Sequence, residues 1–345
     1  MNEKIPLSAI LSAYPVREPS VRFIRHNENM TYRVTDGTTG QSYLLRIHKP
    51  VTDKLHGLQH SREGLHAEMQ WLADLGAAAE VRVQKPVASH EGEWVTSVNL
   101  DAESGTQSGT RSGDQSEARS GVFCTLLEWI EGRDAGQGES FSRETVNDLG
   151  RQLGALHRFS QTYPGAAIMK RPRYAGAEQN EEMLARIRSG VSMDLFREED
   201  LEIVGRTFTR IADKLERHSR SESSWGLIHA DINKGNLIVT DQGLSLIDFC
   251  LFGHGYYGYD LAGCALTMKT ELRDSVLEGY SLVRPGAVTE RLDLLEGFML
   301  LSIFGFYSFH LHNPDKHPWM KERMPAFCKN YCVPFLEDRS LFYTL

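Results

Sequence analysis

At 345 residues the chain is long for one compact core and comfortable for two lobes, and its 41% hydrophobic and 24% charged content excludes wholesale disorder. With 46 acidic against 38 basic residues the net charge is −8, and no block of consecutive Lys or Arg stands out, which argues against nucleic acid and anionic membranes as partners. The acidic balance suits a cationic small molecule and equally a plain solvated surface, and it leaves the oligomeric state open.

The opening MNEKIPLSAILSAYPV lacks the basic start and sustained apolar run of a secretory signal, so a cytoplasmic location is expected. From Val21 to Pro50 the pattern reads as strands: Tyr32-Arg33-Val34, the turn-rich Asp36-Gly37-Thr38-Thr39-Gly40, then Ser42 to Ile47, together a hairpin. Leu65, Met69 and Leu72 recur at helical spacing and Gly76 closes the run, so a helix carrying Glu68 follows. A second strand pair is expected at Lys85–Ser89 and Glu93–Leu100. The segment 101–120 holds nothing apolar larger than alanine and cannot bury enough surface to offset its ordering entropy, so a mobile insertion is expected there.

Val122 to Leu127 reads as a buried strand leading into Glu128-Trp129-Ile130-Glu131-Gly132, and the lobe boundary is placed there, between 1–130 and 131–345. Beyond it, Val146, Leu149, Leu153 and Leu156 mark an amphipathic helix, and the surroundings of Leu184, Ile203–Leu215 and Leu292–Phe309 also read helical. The apolar stretch Gly297–Phe309 falls short of the about 20 residues a bilayer crossing needs, which favours a buried helix. Cys124, Cys250, Cys264, Cys328 and Cys332 form no C-x-x-C pair and read as reduced, mostly buried thiols. His310, His312 and His317 flank Pro314 and read as surface histidines of a turn in preference to a zinc site.

The most informative stretch, Gly226 to Phe249, reads GLIHADINKGNLIVTDQGLSLIDF. Two apolar strands, Leu237–Val239 and Leu244–Ile247, flank a turn ending in Gly243, so a hairpin sets the spacing between Asp231 and Asn236 on one side and Asp248 on the other. Phosphoryl transfer asks for positioning and charge neutralisation more than covalent chemistry. Asp231 can accept the proton of an acceptor hydroxyl, while Asn236 and Asp248 offer hard oxygen ligands for Mg²⁺ on the phosphates of ATP. Turn chemistry alone does not require a carboxylate at both ends.

HADINKGN followed by LIDF resembles the catalytic loop and metal aspartate of aminoglycoside phosphotransferases and choline kinase relatives, and the wider pattern H-x-D-x-x-x-x-N is met at His229, Asp231 and Asn236. The resemblance implies an α+β, two-lobed protein kinase-like fold with a small, mainly β nucleotide-binding lobe and a larger, mainly α catalytic lobe. It implies ATP-dependent phosphorylation of a hydroxyl on a small molecule, with His229 as loop scaffold, Asp231 as base, Asn236 and Asp248 as metal ligands, and Asp260 as an anchor beneath the loop. Arg46 then stands where such enzymes carry a phosphate-binding lysine, with Glu68 as its partner. The carbonyl of Glu128 and the amide of Ile130 would meet adenine. No G-x-G-x-x-G occurs near the first strands, so nucleotide cover falls to His26-Asn27-Glu28-Asn29, with Asn29 the candidate. Asn233 in place of the protein kinase loop lysine, and Cys250 after Asp248-Phe249, point toward small-molecule kinases. A protein serine/threonine kinase and a nucleotide-binding regulator without turnover are the alternatives.

Overall fold

The computed structural model describes residues 5–26, 29–49, 57–78, 81–99, 121–138, 140–218, 220–286 and 291–345. The insertion expected at 101–120 lies outside them. The chain divides into two compact units, one made of Met1–Ala77 and Val83–Glu131, the other of Ala78–Arg82 and Gly132–Leu345.

The first unit runs α1 (Leu7–Leu11), β1 (Ser20–His26), β2 (Met30–Thr35), β3 (Ser42–Ile47), α2 (Arg62–Ala77), β4 (Pro86–Val87), β5 (Thr96–Asn99) and β6 (Gly121–Glu128). Its strands form one sheet in the order β1-β2-β3-β6-β4, with β5 also on β6. β2 and β3 make the expected hairpin, Met30 opposite Ile47 through Thr35 opposite Ser42. Asp36 builds its turn, one oxygen accepting from the amides of Thr38 and Thr39 and the other from that of Arg17. Strand alternation sends Val34, Leu45, Ile47, Cys124 and Leu126 into a core shared with Ile10, Leu11 and Tyr14. Among the described residues the expected ladder between the Lys85–Ser89 and Glu93–Leu100 segments does not form, and a single backbone bond, from the Ser89 amide to the Glu93 carbonyl at 2.8 Å, joins them. Both instead pair with β6, β4 at Leu126-Leu127 and β5 along Gly121–Cys124, because the eight residues of β6 accommodate the two short strands end to end.

The second unit runs β7 (Arg133–Asp134), α3 (Arg143–Thr162), α4 (Ala177–Ser189), α5 (Glu198–Arg217), β8 (Trp225–Ile228), β9 (Leu237–Thr240), β10 (Gly243–Leu246), β11 (Gly253–Tyr256), α6 (Tyr257–Thr267), α7 (Arg273–Val283), α8 (Leu292–His310), α9 (His317–Phe327) and α10 (Val333–Leu336). Ser142 caps α3 by accepting the Thr145 amide, and Val146, Leu149, Leu153 and Leu156 bury its apolar face. The β9–β10 hairpin forms as the sequence suggests, with β7 on its edge, while β8 and β11 make a separate antiparallel ribbon. α8 begins ahead of the apolar stretch and reaches 19 residues, long and apolar enough by length and composition to cross a membrane, with 56% of that window buried in the fold. Buried Glu296 anchors the chain end to α8, its Oε1 accepting from Ser340 Oγ and the amides of Leu341 and Phe342. All five cysteines are buried and free.

α3 and α7 touch backbone to backbone. A Cβ on Gly279 would fall 1.9 Å from the Asn147 carbonyl, and one on Gly150 would fall 2.2 Å from that of Val276. This approach brings His157 of α3 within hydrogen-bond reach of Tyr280 of α7. Gly279→Ala must push the helices apart, and overpacking of this kind costs about 1–3 kcal/mol. A lowered urea midpoint with an unchanged denaturant slope is the expected result, and an unchanged midpoint would contradict the close contact.

Candidate active site

The loop after β8 is shaped from below by Asp260 in the first turn of α6. Its Oδ2 accepts the His229 amide and its Oδ1 the Ala230 amide, both at 2.8 Å. These bonds hold Ala230 at φ 68°, a conformation that alanine avoids by about 1–2 kcal/mol without such help. The His229 ring then ties the loop to the second strand of the hairpin. Its Nδ1 accepts the Asp231 amide at 3.2 Å, so Nε2 carries the hydrogen and donates to the Ile247 carbonyl at 3.0 Å. Ile247 is the residue before Asp248, and its own amide donates to the Asn236 carbonyl at 3.0 Å. Asp231, Asn236 and Asp248 are thereby brought to one end of the β9–β10 hairpin.

Both carboxylate oxygens of Asp231 take side-chain amide hydrogens, Oδ1 from Asn233 Nδ2 at 3.0 Å and Oδ2 from Asn236 Nδ2 at 2.7 Å. Asn236 Nδ2 also donates to the Asp231 carbonyl at 2.9 Å. That commitment turns Asn236 Oδ1 the other way, and it takes no hydrogen bond from any described residue. Asp248 sits in the left-handed region, φ 64° and ψ 63°, at the entrance to a 3₁₀ turn over Phe249–Leu251. Burial pushes the Asp231 carboxyl above its ordinary value, the Asp248 charge adds to the rise, and the two asparagine donors oppose it. Asn236 and Asp248 together supply neutral and anionic oxygen donors of the kind Mg²⁺ prefers, which fits the cation expected on the sequence.

Beneath the loop lies a chain of donors that the sequence reading missed. Arg284 Nη1 donates to the Tyr280 hydroxyl at 3.1 Å, that hydroxyl to His157 Nδ1 at 2.9 Å, and His157 Nε2 to Asp260 Oδ2 at 3.1 Å. Burial holds the His157 imidazole below its ordinary value, so it is neutral and keeps this direction of donation. The available signal was a lone histidine on the apolar face of α3, next to Leu153 and Leu156.

In the first unit, Arg46 and Glu68 form a buried ion pair, Nη1 to Oε1 at 2.8 Å, with 5% and 0% of the two side chains exposed. Arg46 Nε donates to Thr125 Oγ1 at 3.3 Å, and His48 Nε2 lies 2.9 Å from the same oxygen. The Glu128 carbonyl accepts from Gln84 Nε2 at 3.3 Å, while the Ile130 amide donates to no described residue. Asn29 Oδ1 is buried without a hydrogen-bond partner among the described residues, and its neighbours Asn27 and Glu28 lie outside them. His312 and His317 bond to the carbonyls of Phe309 and Leu311, and no group of three or more His, Cys, Asp or Glu suited to a metal occurs among the described residues.

Residues 20–295, most of the chain, match the phosphotransferase enzyme family. The chain belongs to that family. This phosphotransferase is 25% identical over 264 residues to amicoumacin kinase of Bacillus subtilis (strain 168), spanning 76% of the chain and 67% of that relative. Among solved structures it is similar to a microcompartment-associated aminopropanol kinase, with a TM-score of 0.74 at 22% identity over 97% of this chain and 98% of the other. It is also similar to an amicoumacin kinase in complex with AMP-PNP, Ca²⁺ and Ami, with a TM-score of 0.71 at 19% identity over 99% and 95%. A GDP complex of aminoglycoside 2′-phosphotransferase-IIIa follows at 0.66 and 14%, covering 96% and 99%. Identities this low speak for the fold, which is kinase-like: a β-rich N-terminal unit and a helical C-terminal one.

Two outcomes test this description. Glu68→Ala leaves a buried guanidinium without its carboxylate, so denaturant unfolding should show a loss of about 3–5 kcal/mol; an unchanged stability would mean the pair is not buried in solution. His157 and His48 are both held below the ordinary histidine value by burial, His48 well below it. The unfolded chain therefore takes up their protons first as pH falls through about 6.5, and stability present above that pH is lost below it. The thermal midpoint should drop between about pH 7.5 and about pH 5.5, less steeply in His157→Gln than in the parent protein.

Proposed function

We propose that the enzyme transfers the γ-phosphoryl group of ATP to a hydroxyl of a small molecule, with Asp231 receiving the hydroxyl proton. The observation that carries this reading is the double use of Asn236, whose Nδ2 is spent on orienting Asp231 while its Oδ1 is left for a cation. Asn236 Oδ1 and the Asp248 carboxylate would hold Mg²⁺, which when bound neutralises charge on the phosphates. Asp231, its carboxyl raised by burial, is a stronger proton acceptor than an exposed aspartate. Its two asparagine donors fix the carboxylate plane without a competing cation. As the acceptor oxygen bonds to phosphorus, its proton passes to Asp231 and the bond to the β-phosphate oxygen breaks to release ADP.

Arg46, braced by Glu68 and Thr125, is assigned to the nucleotide phosphates, a forked cation in place of an ammonium. The Glu128 carbonyl and the Ile130 amide are assigned to adenine, and Asn29 to cover of the nucleotide. The relatives named for amicoumacin and aminopropanol support a small hydroxylated acceptor, and the acidic composition suits one that carries an amine. Asn233, which holds Asp231 where protein kinases place a lysine, argues against a protein substrate.

ADP release screened against amino alcohols and cationic antibiotics identifies the acceptor. On that acceptor, Asp231→Asn should lower kcat by about 10²–10⁴-fold while ATP binding survives, and near-parent turnover would remove Asp231 as the base. Protonation silences a base, so the acid limb of kcat/KM should lie above the ordinary carboxylate value, in the direction that burial moves Asp231.

A further inference from the structure

The segment Met169–Tyr174 lies against the chain that follows Asp248. The 3₁₀ turn over Phe249–Leu251 ends with carbonyls that its own backbone cannot satisfy, and Cys250 and Phe252 are buried. Three successive carbonyls receive donors from this one segment. Arg171 donates through Nη2 to Cys250 at 2.5 Å and through Nε to Phe252 at 2.7 Å, and the Tyr174 hydroxyl donates to Leu251 at 2.5 Å. The backbones are joined as well, His254 N to the Pro172 carbonyl and Tyr174 N to the His254 carbonyl, both at 2.8 Å. The Arg171 guanidinium also lies 4.2 Å from the centre of the Phe252 ring, and its side chain belongs to a residue only 5% exposed. Gly253 lets the two segments meet, since a Cβ there would fall 2.4 Å from the Pro172 carbonyl.

A buried arginine is a costly way to secure a turn unless the turn must be rigid. The residue at its entrance is Asp248, which adopts a left-handed conformation, so the direction of its carboxylate depends on how the turn that follows is held. We propose that Arg171 and Tyr174 are positioning residues for Asp248. By capping the carbonyls of the following turn they fix the direction of its carboxylate, as outer partners fix the ligands of metal sites. This rests on the reading of Asp248 as a metal ligand.

The test needs no acceptor. Calorimetry with ATP, in excess Mg²⁺ and in EDTA, is carried out on the full chain and on Arg171→Met, Tyr174→Phe and Asp248→Ala. The parent should bind ATP more tightly with the metal. Arg171→Met and Tyr174→Phe should raise Kd for Mg·ATP about tenfold and leave metal-free ATP binding unchanged, a split that general loosening would not produce. If both fold and keep the parent's response to Mg²⁺ while Asp248→Ala loses it, the positioning role is wrong and the metal assignment stands. If Asp248→Ala itself keeps that response, the metal assignment fails and the positioning role falls with it. Should Arg171→Met not fold, Tyr174→Phe, which deletes a single hydroxyl, decides by the same comparison.

Discussion

The Asp260 carboxylate is the group on which the loop after β8 rests. Fully buried, it accepts the amides of His229 and Ala230 and the imidazole hydrogen of His157. Three donors, and a place in the first turn of α6 where the helix end favours negative charge, compensate for its removal from water. Without it, two backbone amides and a histidine would be left buried, and Ala230 would have no reason to stay left-handed. Orientation passes upward from there: Asp260 sets His229, His229 sets Asp231 and Ile247, and the hairpin sets Asn236.

Above this base the enzyme concentrates what a folded chain otherwise avoids. Burial holds the Asp231 carboxyl above its ordinary value, the Asp248 charge adds to the rise, and the side-chain donors to Asp231 are neutral amides. A divalent cation would relieve both carboxylates at once.

How much of this was legible in the sequence depended on distance along the chain. The meeting of Asp231, Asn236 and Asp248 at one end of the hairpin was readable because all lie within that hairpin and its approach loop, where spacing converts directly into geometry. Arg46 and Glu68 were paired through the family resemblance, which sets a cation on the strand and its partner on the following helix, and they meet as an ion pair. His157, Tyr280 and Arg284 lay beyond reach, since α3 and α7 come together only through tertiary packing and no local pattern marks it. The same is true of Met169–Tyr174, an irregular stretch whose partners are backbone carbonyls and leave no trace in side-chain identity. β4 and β5 were misjudged because two short strands close in sequence suggest a hairpin, whereas a longer third strand offered both a place.

β5 and β6 carry one more implication. Asn99 stands directly opposite Gly121 in their antiparallel ladder, so these two ends of β5 and β6 lie side by side. Chain closure over a gap so short depends only weakly on the number of links in between. A reporter peptide grafted between Asn99 and Gly121 is therefore expected to leave the ladder of β5 and β6 intact.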